Sequence, residues 1–140
     1  MSTNSTIAVS HADGTVSQIY VHWDGHVNTA GKCLVDNYNS LELAEQLVEL
    51  GNLSELGARL DANAGETHSF EKAAPGVCVA YARDRGETEQ EPERYDSLEQ
   101  YRTECRSEEY DYLFYAGSWF VIQSGVVIGA VVTELAQQTA

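Results

Sequence analysis

The dipeptide Asp13-Gly14, inside "STIAVSHADGTVSQIYVHW", constrains the fold of this 140-residue chain more than any other feature. Two runs rich in β-branched and aromatic residues flank it, and Asp-Gly supplies the left-handed backbone that a tight hairpin needs. A two-residue loop predicts that Ala12 pairs with Thr15, Ala8 with Ile19 and Ile7 with Tyr20. Ile7 and Val9 then share a face with Val16, Gln18 and Tyr20, while Ala8 shares the other with Ile19 and Val21. A second hairpin is predicted in "EYDYLFYAGSWFVIQSG", turning at Ala116-Gly117. "VCVAYAR" (77–83) alternates as a strand between them.

Helices are predicted where the apolar period changes from two to about 3.6. "NTAGKCLVDNY" has caps at Asn28 or Thr29. Asn39 with Glu42 opens a helix carrying Leu41, Leu43, Ala44, Leu47, Val48 and Leu50, with Gly51 as its stop. "LSELG" reads as a short helical turn ending at Gly57. Asp96 with Glu99, or Ser97 with Gln100, starts another helix whose Leu98, Tyr101 and Cys105 share one face. The tail, residues 122–140, reads as strand or helix. Two connections remain, a long one at 58–76 and an acidic one at 84–94. These elements predict one α+β domain over residues 1–140. Its sheet is mostly antiparallel with about five strands, two hairpins plus a central strand, and two or three helices pack on one face.

A chain of this length buries a core without covalent staples. Its three cysteines, Cys33, Cys78 and Cys105, are odd in number and widely spaced. That argues against a disulfide framework or zinc-knuckle spacing and for buried free thiols. "MSTNSTIAVS" lacks the basic start and apolar run of a secretory signal. The longest apolar stretch, "SGVVIGAVVTELA", is too short to span a bilayer. A cytoplasmic protein is expected.

Charge is the compositional outlier. Twenty-two acids against eight bases give a net charge of −14. Such a surface repels nucleic acid and anionic membrane and attracts basic surfaces. The acids are not spread evenly. Between Arg83 and Asp111 there are eleven acids and five bases, and solubility alone requires no such clustering. Within "YARDRGETEQEPERYD", Glu87, Glu89, Glu91 and Glu93 occupy alternate positions. In extended backbone they would stand on one edge about 6–7 Å apart, near the phosphate step of a nucleic-acid strand. Glu99 and Glu104 extend the acidity onto the following helix. These six are the candidate partner-binding residues, and the expected partner is a basic protein or nucleoprotein complex, met in place of nucleic acid. A solvated, self-repelling loop is the plainer reading of the same run.

"HWDGH" places His22, Asp24 and His26 at alternate positions. On a strand they would lie on one face in steps of about 6.7 Å, which suits a metal-dependent enzyme. Gly25 interrupts the alternation, so the favoured reading is structural: Trp23 packs inward and Asp24-Gly25 turns the chain towards the first helix. No nucleophile elbow, P-loop, dinucleotide fingerprint, Cys-x-x-Cys or His-Glu-x-x-His occurs. A non-enzymatic protein is expected, with no cofactor and no metal. A further alternative is an interaction or homodimerisation module built on the aromatic hairpin, residues 110–122.

In order and spacing, "STIAVSHADGTVSQIYVHWDGH", "LVDNYN", "LVELGNLSELG", "YARDRGE" and "YDYLFYAGSWFV" resemble a family of small phage- and prophage-encoded accessory proteins. The resemblance runs from Ser5 to Val121. It carries no established reaction and no catalytic residue. Accessory proteins of this size often bind and disable a host protein. The resemblance therefore implies an acidic inhibitor of a host nucleic-acid-binding defence protein, of anti-CRISPR or anti-restriction type. It would occupy a basic groove in the host cytoplasm, as a nucleic-acid mimic.

Overall fold

The computed structural model describes residues 3–130. Strands β1 (Ser5–Ser10) and β2 (Val16–Val21) form the first hairpin. Its register is one residue away from the predicted one: Ser10 pairs with Val16, Ala8 with Gln18 and Ile7 with Ile19. The loop has three residues. The Gly14 N–H donates to the His11 carbonyl at 3.0 Å, and the His11 N–H donates to the Thr15 carbonyl at 2.8 Å. Gly14 takes a φ of 91°, the left-handed residue that closes a three-residue loop. Because side chains alternate, a one-residue slip exchanges the faces. Ile19 and Val21 thereby join Ile7 and Val9 on one buried face, and burial of all four together favours this register.

The chain leaves β2 through a π-helical turn (Val27–Gly31) into α1 (Lys32–Asn37). Helix α2 (Leu41–Val48) follows, capped by Ser40, whose Oγ accepts from the Leu43 N–H at 3.2 Å. Then come β3 (Leu53–Glu55), β4 (Val79–Ala80), α3 (Tyr81–Arg85) and β5 (Glu93–Tyr95). Helix α4 (Leu98–Glu104) is capped by Ser97, which accepts from Gln100 N–H at 3.0 Å. Three meandering strands complete the described chain: β6 (Tyr110–Tyr115), β7 (Ser118–Gln123) and β8 (Val126–Ala130). Both of their turns are two residues long. The first is the turn expected at Ala116-Gly117, and Ala116, Gly117, Ser124 and Gly125 all have positive φ, as a type I′ turn requires.

The expected sheet of about five strands is overturned. Among the described residues, eight strands form one mixed sheet, ordered β4-β3-β2-β1-β6-β7-β8, with β5 also on β2. An isolated parallel bridge joins Arg59 to Val77. β1 runs parallel to β6 and β2 parallel to β3; the other pairings are antiparallel. The extra strands come from segments read otherwise. "LSELG" is strand, because the His22 and Trp23 N–H groups donate to the Leu53 and Ser54 carbonyls. Within 77–83 only Val79 and Ala80 are strand, and the chain turns helical at Tyr81, where Asp84 Oδ2 accepts the Ala80 N–H at 2.8 Å. The segment 84–94 holds the end of α3 and most of β5. The tail is strand from Val126 to Ala130; the rest of it, 131–140, lies outside the described residues.

Helices lie on both faces of the sheet, not one. On the first, the π turn, α1 and α2 bury Val27, Leu34, Tyr38, Ala44, Leu47 and Val48 against Ile7, Ile19, Tyr112 and Trp119. Trp119 anchors this side. Its ring meets Phe114 edge-on, and its Nε1–H donates to the Tyr38 carbonyl at 3.0 Å. On the second face, Leu98 and Tyr101 of α4, with Cys105 just beyond its end, cover Ala8, Val16, Leu113 and Ile122. A buried polar chain runs beside it: Gln18 Nε2 donates to Thr6 Oγ1, and Thr6 Oγ1 donates to Asp111 Oδ1 at 2.7 Å.

Candidate functional site

Among the six candidate carboxylates, the even row from Glu87 to Glu93 does not form. Helix α3 ends at Gly86 in the left-handed conformation, and Glu89 is left-handed as well, with φ 60°. The middle of the loop is tied inward. The Asn52 backbone N–H donates to the Gln90 carbonyl at 2.9 Å, and Asn52 Nδ2 donates to Gln90 Oε1 at 3.0 Å. Gly51 permits this approach, since a Cβ there would collide with the Gln90 carbonyl. Glu87 is half-buried and pairs with Arg85 at 3.3 Å. Glu89, Glu91, Glu93, Glu99 and Glu104 are exposed.

Two of them are brought together. Glu93 opens β5 and Glu104 closes α4, and both line a cleft of about 310 Å3 with Gln18, Ile19, Tyr20, Asn52, Tyr95, Cys105 and Arg106. β2 supplies its floor, and Asn52 fixes the edge by accepting the Tyr20 N–H at 2.9 Å. The Arg106 guanidinium lies 4.1 Å from the centre of the Tyr20 ring, and its Nε donates to Glu108 at 2.8 Å. Tyr95 Oη donates to Gln18 Oε1, and Gln18 Nε2 donates to the Arg106 carbonyl at 2.8 Å. Burial pushes the Tyr95 phenol up; the Glu93 and Glu104 carboxylates add to this and the Arg106 backbone opposes it. Tyr20 is raised by burial and then by Glu108, against Arg106. The tyrosines, Asn52 and Arg106 were not among the candidates. Their only sequence signal is the place of Tyr20 and Gln18 on one face of β2.

The electrostatic contrast is plain. Six of the eight basic residues (Lys32, Arg59, Arg83, Arg85, Arg94 and Arg106) already sit in ion pairs. Among the described residues, none of Glu89, Glu91, Glu93, Glu99 and Glu104 has a basic partner within 4.0 Å.

His22, Asp24 and His26 do not converge. The turn takes them apart: His22 Nδ1 bonds Tyr20 Oη at 2.8 Å, His26 Nε2 bonds Thr3 Oγ1 at 2.8 Å, and Asp24 is exposed at φ 57°. Among the described residues, no three His, Cys, Asp or Glu side chains are placed to share a metal ion. Trp23 is 44% exposed and meets His22 edge-on, so the expectation that it packs inward is corrected. Gly25 is where the chain packs closely, against Ser5 and Thr3.

A cluster elsewhere joins the largely buried side chains of His68 and Asp84 to Arg83. The Ala74 N–H donates to His68 Nδ1 at 3.0 Å, so Nε2 carries the proton and donates to Asp84 Oδ2 at 3.1 Å. Arg83 Nε donates to Asp84 Oδ1 at 2.9 Å and reaches the Cys78 and Leu60 carbonyls. Burial raises the Asp84 carboxyl, but Arg83, the Ala80 N–H and His68 outweigh it, so it sits below its usual range. This network pins the 58–76 connection to α3. Burial also raises all three thiols, Cys33 to about 11. No helix among the described residues is long and apolar enough to cross a membrane. Comparison with protein-family models, with curated proteins and with solved structures finds no match to this chain.

Proposed function

We propose that this chain is a non-enzymatic binding protein whose acidic face, from the 86–92 loop through β5 to α4, docks into a basic groove of a nucleic-acid-binding partner. The observation that carries the reading is the excess of exposed carboxylates without ion pairs on that face: Glu89, Glu91, Glu93, Glu99 and Glu104 stand against two bases, Arg94, which is paired with Glu49, and Arg102, which among the described residues has no ion pair. Charge of one sign that is left unpaired steers a basic partner and matches its potential on contact. The loop is held in one shape by Asn52 and Gln90, which lowers the ordering cost of binding. Because the carboxylates do not form an even row, mimicry acts through the surface potential and not through a phosphate-like spacing. The non-enzymatic part rests on chemistry: raised thiols are poor nucleophiles, and both ring nitrogens of His68 are engaged. A phage-encoded inhibitor of a CRISPR effector or restriction enzyme, acting in the host cytoplasm, is the specific form of this reading.

The test is competition for a fluorescent DNA duplex held by purified CRISPR effectors and restriction endonucleases. Displacement from one of them at low salt, weakening as salt rises, is the expected result. Absence of displacement across the panel at low salt overturns the reading.

A second reading is favoured by one specific feature. Leu98, Leu113, Tyr115, Phe120, Ile122 and Val127, with Arg102, line a mostly apolar groove of about 230 Å3 beside β8. Tyr115, Val126 and Val127 are 43%, 65% and 44% exposed. Most of the hairpin 110–122 is core, so self-association would use only this strip. A dimer in light scattering that persists at high salt supports it.

A further inference from the structure

The cleft between β2, β5 and α4 already holds one guanidinium, that of Arg106. It rests on an aromatic face at 4.1 Å and is held by a carboxylate at its edge. The remaining lining carries the same kinds of group without a cation: Glu93 and Glu104 have no ion-pair partner among the described residues, and Tyr95 and Asn52 line the cleft with them. At about 310 Å3, the space is at the lower end of the range that takes a small ligand, about 300–1,000 Å3. Planar cations stack on aromatic rings and accept carboxylates as a fork, whereas an ammonium is a compact, strongly hydrated charge.

We propose that this cleft is an arginine-reading pocket, taking one arginine side chain of the basic partner beside Arg106, with Glu93 and Glu104 on its guanidinium. The proposal rests on the acidic-face reading and adds specificity to it. Surface charge alone does not distinguish arginine from lysine; a pocket lined by tyrosines and two carboxylates does. Arg106 sets the orientation. With Glu108 engaged by Arg106, Glu93 and Glu104 are the lining carboxylates left to receive a second guanidinium.

Titration of the isotopically labelled chain with deca-arginine and deca-lysine peptides, followed by amide shifts of Gln18, Tyr20 and Tyr95, tests this. Tighter binding of the arginine peptide by about two- to fivefold is expected. The preference should disappear in the double variant Glu93→Gln, Glu104→Gln, whose exposed side chains leave the fold intact. The double variant Glu89→Gln, Glu91→Gln should weaken both peptides alike and keep the preference. Equal affinity for the two peptides in the native chain overturns the pocket while leaving an acidic face standing. A preference that survives Glu93→Gln, Glu104→Gln overturns it too. Binding of neither peptide at low salt overturns both readings.

Discussion

At the scale of single residues, the segment that looks most like a site in the sequence is architecture. Gly25 is required by contact: a Cβ there would stand 2.8 Å from Ser5 Cβ and 2.9 Å from Ser5 Oγ and the Thr3 carbonyl. Tyr112 Oη also donates to the Gly25 carbonyl at 2.7 Å. Gly25→Ala is expected to cost about 1–3 kcal/mol through overpacking, read as a lower urea midpoint with an unchanged slope. Asp111 makes a different case. Burial raises its carboxyl, although Thr6, the Glu108 N–H and Ser107 donate to it and pull the other way. A carboxyl raised on folding favours the native state at low pH, and that contribution is lost as pH rises from the ordinary value of 3.8 through the folded one. Asp111→Asn keeps an acceptor for Thr6 and removes the buried charge. The variant is expected to gain stability relative to native protein as pH rises from 3 to 7, measured by denaturation at each pH; a relative loss over that range would contradict it.

At the scale of elements, the sequence was most legible where turn chemistry and period agree. The Ala116-Gly117 turn and the Ser97 cap need only local information, and both form. The first hairpin shows the limit. Asp13-Gly14 serves a two-residue loop or a three-residue loop closed by Gly14, and only burial of Ile7, Val9, Ile19 and Val21 together separates them. That pattern was readable but needs the faces weighed against the turn. "LSELG" was not legible, because its strand pairing depends on β2 and β4, which are distant in sequence. The cleft has the same character: Glu93 and Glu104 are visible as acids, but their meeting depends on β5 pairing with β2 and on α4 crossing the second face. Asn52 joins these elements, accepting Tyr20 N–H and holding Gln90. Asn52→Ala leaves the half-buried Tyr20 N–H without that acceptor and is expected to cost about 1–3 kcal/mol. Faster hydrogen exchange at Tyr20 would mark the released edge, and unchanged exchange there would show that Asn52 is dispensable.

For the whole molecule, a net charge of −14 keeps copies apart and draws basic surfaces in, and its uneven placement separates a binding face from general solubility. The direct measurement is DNA displacement by two variants that each lose three charges. One carries Glu89→Gln, Glu91→Gln and Glu93→Gln; the other carries Asp24→Asn, Glu42→Gln and Glu71→Gln, all exposed and outside the 86–104 face. If the face is the working surface, the first variant releases DNA from the partner poorly, and the second matches native protein. Equal loss in both would mean that only total charge matters, and would contradict a localised acidic face.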